Sequence, residues 1–246
     1  MSKYKVPLIA VHALASMFLV TASTAALAQS DQTAKGPAAS TTRTKPTPQA
    51  LVDAADKTFG NFMRDPEMDW LHQNVRRAKA VLIAPEVAKA GFIFGGSGGR
   101  AVLVVRNAKT GRWTGPAFYT LATASVGFQA GISVSEMITL VMTDKGLNSL
   151  LSDSFKMGPD ASIAAGPVGA GAKADVITDL VTYSRSKGLY GGINLDGTVV
   201  ATSDEWNEAY YGKKGMHAPD IVVRNAVRNK GADRLLADVA RSAGKR

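Results

Sequence analysis

Apolar residues in this chain recur first at helical and then at strand spacing. Leu51, Val52, Ala55, Phe59 and Phe62 fall on one face of a 3.6-residue period, which predicts an amphipathic helix. Pro66 suits the first turn of a second helix, where a missing N–H costs nothing. That helix holds Met68, Trp70, Leu71 and Val75 and ends near Arg76 and Arg77. Beyond it, 81–83, 91–94 and 101–105 are short apolar runs separated by proline and glycine, the pattern of strands. Val126, Phe128, Ala130, Ile132 and Val134 alternate with Ser125, Gly127, Gln129, Gly131 and Ser133, which predicts a half-buried strand with one small, polar face. Further strands are predicted at 137–143, 174–185 and 189–201, and short helices at 144–151 and 204–211. The tail ends in one or two more helices, with Leu235, Leu236, Val239, Ala240 and Ala243 as an apolar stripe. Helices gather at both ends and strands in the middle. The expected fold is α+β, with a curved antiparallel sheet or partial barrel at its centre.

The first 28 residues read as an address. Lys3 and Lys5 precede an uncharged stretch from Val6 to Ala28, and Ala26-Leu27-Ala28 fits a signal peptidase site, so cleavage is expected before Gln29. A span that stays in the membrane would need a more apolar second half than these Thr, Ser and Ala residues supply. The expected destination is the periplasm. Residues 29–50 carry Thr, Ala, Ser, Lys and Pro without a period and are expected to form a flexible leader, with a single domain over 51–246.

Composition and charge narrow the function classes. The 246 residues are 46% hydrophobic and 20% charged, enough apolar material for a sizeable core. There is no cysteine, which rules out disulfides, thiolate catalysis and cysteine-based zinc sites. The net charge of +9 is unevenly spread. Residues 51–211 carry 15 basic and 16 acidic side chains, whereas the tail 212–246 carries 9 against 3. A basic tail suits anionic lipid headgroups or nucleic acid, and export removes nucleic acid from the expected partners.

Three glycine motifs invite a catalytic or nucleotide-binding reading and fail it. Gly95-Gly96-Ser97-Gly98-Gly99 has the letters of a nucleophile elbow, but that device needs a helix after the serine, and Arg100 leads into a β-branched run instead. The five residues read as a glycine-rich hairpin tip. The same segment fails as a dinucleotide fingerprint for the same reason. Gly166 to Lys173 lacks the lysine position of a phosphate loop. No catalytic residue, metal set or cofactor is expected. Glu136 would share an apolar face with Ile138, Leu140 and Met142 if its strand ran on unbroken. It is expected instead to follow a turn at 133–135, or to lie on a solvated edge, because an unpartnered buried carboxylate is costly.

Several blocks in one order resemble the SYLF domain family. They run from Ala78-Lys79-Ala80-Val81-Leu82-Ile83-Ala84-Pro85-Glu86, through Gly111-x-Trp113-x-x-Pro116-Ala117-Phe118 and Ser125-Val126-Gly127-Phe128, to Phe155-Lys156-Met157-Gly158, Tyr183-Ser184-Arg185-Ser186-Lys187-Gly188 and Asn207-x-x-Tyr210-Tyr211-Gly212. Position 136 is Glu where the resemblance leads one to expect Asp. The resemblance implies a lipid-binding module, which in eukaryotic members is tied to phosphoinositides and membrane–actin sites. The signal peptide and the lack of an SH3 or FYVE companion argue here against actin, and phosphoinositide is not a natural periplasmic lipid.

The expected function is therefore an exported, non-enzymatic protein that contacts anionic membrane lipids, with apolar insertion from the first helix. Its candidate lipid contacts are Arg76, Arg77, Lys79, Lys89, Arg185 and Lys187. The alternative is a module that recognises an envelope protein or a cell-wall component through the small polar strand face.

Overall fold

The computed structural model describes residues 46–91, 94–126, 131–169, 178–186, 189–190 and 195–244, all within the compact unit Thr44–Arg246. The expected signal peptide and most of the leader lie outside them, as do Gly127, Gln129 and Lys187.

Helix α1 (Pro48–Arg64) takes in the last three residues of the expected leader. Thr47 caps it by accepting the Ala50 N–H at 3.2 Å, and Pro48 occupies the first turn. A 3₁₀ turn at Pro66–Met68 leads into α2 (Asp69–Asn74). Four long antiparallel strands follow, β1 (Ala80–Gly91), β2 (Phe94–Arg106), β3 (Trp113–Val126) and β4 (Gly131–Val141). Next come α3 (Asp144–Leu151), β5 (Ser154–Lys156), β6 (Ile163–Ala165), β7 (Leu180–Ser186), β8 (Leu189–Tyr190) and β9 (Val199–Thr202). Helices α4 (Asp204–Tyr211), α5 (Ala218–Val222) and α6 (Asp233–Gly244) close the chain.

The strands form one curled sheet in the order β5-β9-β3-β2-β1-β4-β7-β6, with β8 beside β7. Among the described strands all pairs are antiparallel except β6 with β7, so the expected α+β half-barrel is present with one parallel edge. Alternation along the strands makes two buried faces. On one, Val81, Ile83, Val102, Phe118, Ile138 and Leu140 pack against α1, α2, α4 and α6. On the other, Leu82, Leu103, Tyr119 and Met137 pack against α3, α5, β5 and β9.

Three expectations about the strands are corrected. Gly95 to Gly99 lie inside β2, paired with β1 and β3, and not at a hairpin tip. The reason is a bulge in β1 between Ile83 and Glu86, after which a Cβ on Gly99 would run into the Glu86 carbonyl oxygen. The described ends of the alternating run fall in two strands that are not neighbours, Ser125 and Val126 in β3 and Gly131 to Val134 in β4. Finally, β4 runs unbroken through Ser133, Ser135 and Glu136, with no turn to reset its faces.

The basic tail is docked on the body. Ile221, Val222, Leu235 and Val239 are buried in the two cores. Its described arginines pair with aspartates, three within the tail and one on α1: Arg224 with Asp220, Arg228 with Asp233 at 3.0 Å, Arg234 with Asp56 at 2.8 Å, and Arg241 with Asp238 at 2.9 Å. Four of the tail's nine basic residues are thus held in ion pairs within the fold.

Candidate functional site

The five candidate contacts among the described residues do not converge. Arg76 and Arg77 are exposed where α2 gives way to β1. Lys79 sits at the start of β1 and is bound to Asp144 at 2.8 Å. Lys89 lies ten residues further along the same strand, between Ser97 and Ser133, about 33 Å away at the rise of an extended chain. Lys187 lies outside the described residues.

Arg185 does a different job. Its side chain is only 18% exposed; Nη2 reaches Glu136 Oε2 at 2.5 Å and Nη1 reaches Asp65 Oδ2 at 3.5 Å. Glu136 also accepts from Thr58 at 3.0 Å and Asn61 at 3.3 Å, both on α1. The guanidinium stands 5.2 Å from the centre of the Phe62 ring. Glu136 is therefore on the apolar face after all, beside Ile138, and its partners come from β7 and α1. Arg185 serves as a strut that ties sheet to helix and is not a free lipid contact. The apolar face of α1 is likewise spent, since Val52, Ala55, Phe59 and Phe62 are buried against the sheet. The expected insertion of this helix into a bilayer does not fit its packing.

A compact charged surface does form at the end of the sheet where Arg76 and Arg77 stand. Strand β2 ends in Arg106, and the following loop carries Lys109 and Arg112, all exposed. Arg106 Nη1 donates to the Arg76 carbonyl oxygen at 2.8 Å, and the Arg106 N–H donates to the Lys79 carbonyl oxygen at 2.8 Å. The loop is fixed by Asn107, whose side-chain oxygen accepts from the N–H groups of Lys109 at 3.0 Å and Thr110 at 2.9 Å. Gly111 turns the chain back with φ of 69°, within reach of the Arg106 side chain. Arg76, Arg77, Arg106, Lys109 and Arg112 are thus five exposed cations on one end, and among the described residues none of them is in an ion pair. Their common field attracts an extended anionic surface more than any one of them does.

Comparison with known proteins gives this arrangement a context. Residues 122–242 match the Ysc84 family, described as "Las17-binding protein actin regulator". "LAS seventeen-binding protein 3" of Saccharomyces cerevisiae is 29% identical over 182 residues, covering 68% of this chain and 39% of that protein. "Protein YSC84" of the same yeast is 30% identical over 182 residues, covering 68% of this chain and 38% of that protein. The human "SH3 domain-containing YSC84-like protein 1" is 28% identical over 166 residues, covering 65% and 48% respectively. The chain spans two-fifths to one half of the length of these curated relatives. The expectation against actin is overturned by this match. It rested on the signal peptide and the missing companion domains, whereas the similarity to Las17-binding actin regulators runs through the domain itself.

Proposed function

The chain belongs to the SYLF (Ysc84) domain family, and on that footing we propose that it is a non-enzymatic binding module that docks on anionic membrane surfaces through the basic end of its sheet. One observation carries the reading. Five cations from two distant segments are gathered on one exposed end, with the Arg106–Arg76 hydrogen bond holding the segments together. Each basic residue near an anionic bilayer contributes about 1 kcal/mol, weakened by salt. The resemblance that introduced lipid binding supports the same reading. The 28-residue leading segment supports a periplasmic location, which N-terminal sequencing of a periplasmic fraction tests: a mature start at Gln29 is the expected result. Ser97 supports the absence of hydrolytic chemistry, because it lies in mid-strand opposite Lys89 and Thr123 with no helix following. Vesicle flotation tests the main proposal. Retention on phosphatidylglycerol vesicles and not on phosphatidylcholine is expected, and equal behaviour on both would remove the electrostatic basis.

A second reading has its own observation. Ile132 is 82% exposed and Val134 46% exposed on the face of β4 that α1 covers further along. With a family described as Las17-binding actin regulators and a yeast relative named as a Las17-binding protein, this exposed patch suits a protein partner of the actin-regulatory kind. Crosslinking through position 132 in cells tests it, with recovery of a single protein as the expected result.

A further inference from the structure

The cavity of about 500 Å³ beside the basic end is lined by the loop after β2, the start of β3 and the tail. Its size lies within the range of small-molecule sites. Trp113, Leu236, Ala237 and Ala240 supply apolar wall, and Arg112 and Arg228 supply charge. Arg112 belongs to both the cavity and the cation cluster, so the two are continuous. Asp233 also lines the space, but it is held by Arg228 at 3.0 Å. The lining therefore keeps one net positive charge. On the tail side the wall includes Asn225, a non-glycine residue with φ of 51°. That backbone is one few side chains adopt and asparagine tolerates. The tail thus leaves an open space here, although its neighbours Ile221, Val222 and Leu235 pack into the cores.

From this lining we infer that the cavity takes one amphipathic monoanion: a carboxylate or phosphate head against Arg112 and an acyl chain along Trp113 and Leu236. The inference rests on the anionic-surface reading, because the source of such a molecule would be the membrane on which the basic end docks. A bare anion would leave the apolar wall unused, and a neutral amphiphile would leave Arg112 unused.

The test is titration of the full chain with dodecanoate below its micelle concentration, followed by tryptophan fluorescence, with acetate and dodecyl maltoside as parallel arms. Trp113 is the tryptophan in the cavity wall. Saturable binding of dodecanoate is expected, with no response to acetate and a much weaker one to the maltoside. Ala237→Phe fills the space from an exposed helix position and should weaken dodecanoate by about tenfold or more. It leaves the five cations in place, so phosphatidylglycerol vesicles should still bind it. Arg112→Gln should weaken dodecanoate and leave the maltoside response unchanged. Three results would overturn the inference: no saturation by dodecanoate, equal responses to dodecanoate and acetate, or full affinity in Ala237→Phe. If dodecanoate fails while vesicles still bind, the cavity is wrong and the surface reading stands. If vesicles fail as well, the surface reading falls with it.

Discussion

Arg106 donates through Nη1 to the carbonyl oxygen of Arg76 at 2.8 Å, across 30 positions of sequence. This bond joins the loop after β2 to the loop before β1, so the cations on both are presented together. Arg106→Lys keeps the charge but gives up the planar, directed donor. Vesicle binding should fall less than in Arg106→Gln, which loses both charge and tether. Flotation of the two variants side by side checks this order.

The Arg185–Glu136 pair is a structural strut. Glu136→Ala should lower stability by about 1–2 kcal/mol, a partly exposed pair being worth less than a fully buried one. Vesicle binding should be unaffected in the folded protein. A double-mutant cycle with Arg185→Ala should return a coupling of about 1 kcal/mol. A near-zero coupling in chemical denaturation would refute the strut.

Asp179 contributes stability that acid removes. Burial pushes its carboxyl up, but hydrogen bonds from Thr143 and from the side chain and backbone of Ser162, with Lys145 nearby, outweigh this and lower it from 3.8 to about 2. A folded value below the unfolded one contributes stability that is present above about pH 4 and lost as pH falls toward 2, about 2 kcal/mol in all. Asp179→Asn should be less stable at pH 7 and show a flatter loss between pH 4 and pH 2. Thermal melts across that interval measure it.

The tail should act as part of the fold. Truncation after Asn229 removes Leu235 and Val239, which pack against the α1 side of the sheet. Each fully buried aliphatic side chain is worth about 1.5–3 kcal/mol, so a clear drop in melting temperature is expected. Vesicle binding of the remaining folded fraction should change less, because the tail's described arginines are paired with aspartates.

What the sequence revealed divides along local and non-local lines. Helices α3 and α4 match the predicted spans because their signals are local. Thr143 caps α3 by accepting the Gly146 N–H, and Gly212 ends α4 with φ of 64°. The lengths of β1 and β2 were hidden because Pro85 and the Gly95–Gly99 run look like breaks. Only the pairing across the bulge shows that Gly99 is there for the approach of Glu86. The alternation through 125–134 carried no mark that two different strands were involved. In the site, Arg76 and Arg77 were legible as an exposed pair after a helix. Arg106, Lys109 and Arg112 were missed, although Asn107 and Gly111 between two strand patterns are turn chemistry that would have placed them on a hairpin loop. For Glu136, the rule that a carboxylate on an apolar face needs a partner was sound. What failed was supplying a turn instead of Arg185.

The central claim is that the basic end, and not α1 or the tail, makes the membrane contact. The most direct measurement is co-sedimentation of the full chain and of an Arg76→Gln, Arg77→Gln, Lys109→Gln, Arg112→Gln variant with phosphatidylglycerol vesicles at low and high salt. Arg106 is retained so that the loop stays tethered. The account predicts salt-sensitive binding of the natural sequence and a loss of about 100-fold or more in the variant, at an unchanged melting temperature. Undiminished binding by the folded variant would contradict it.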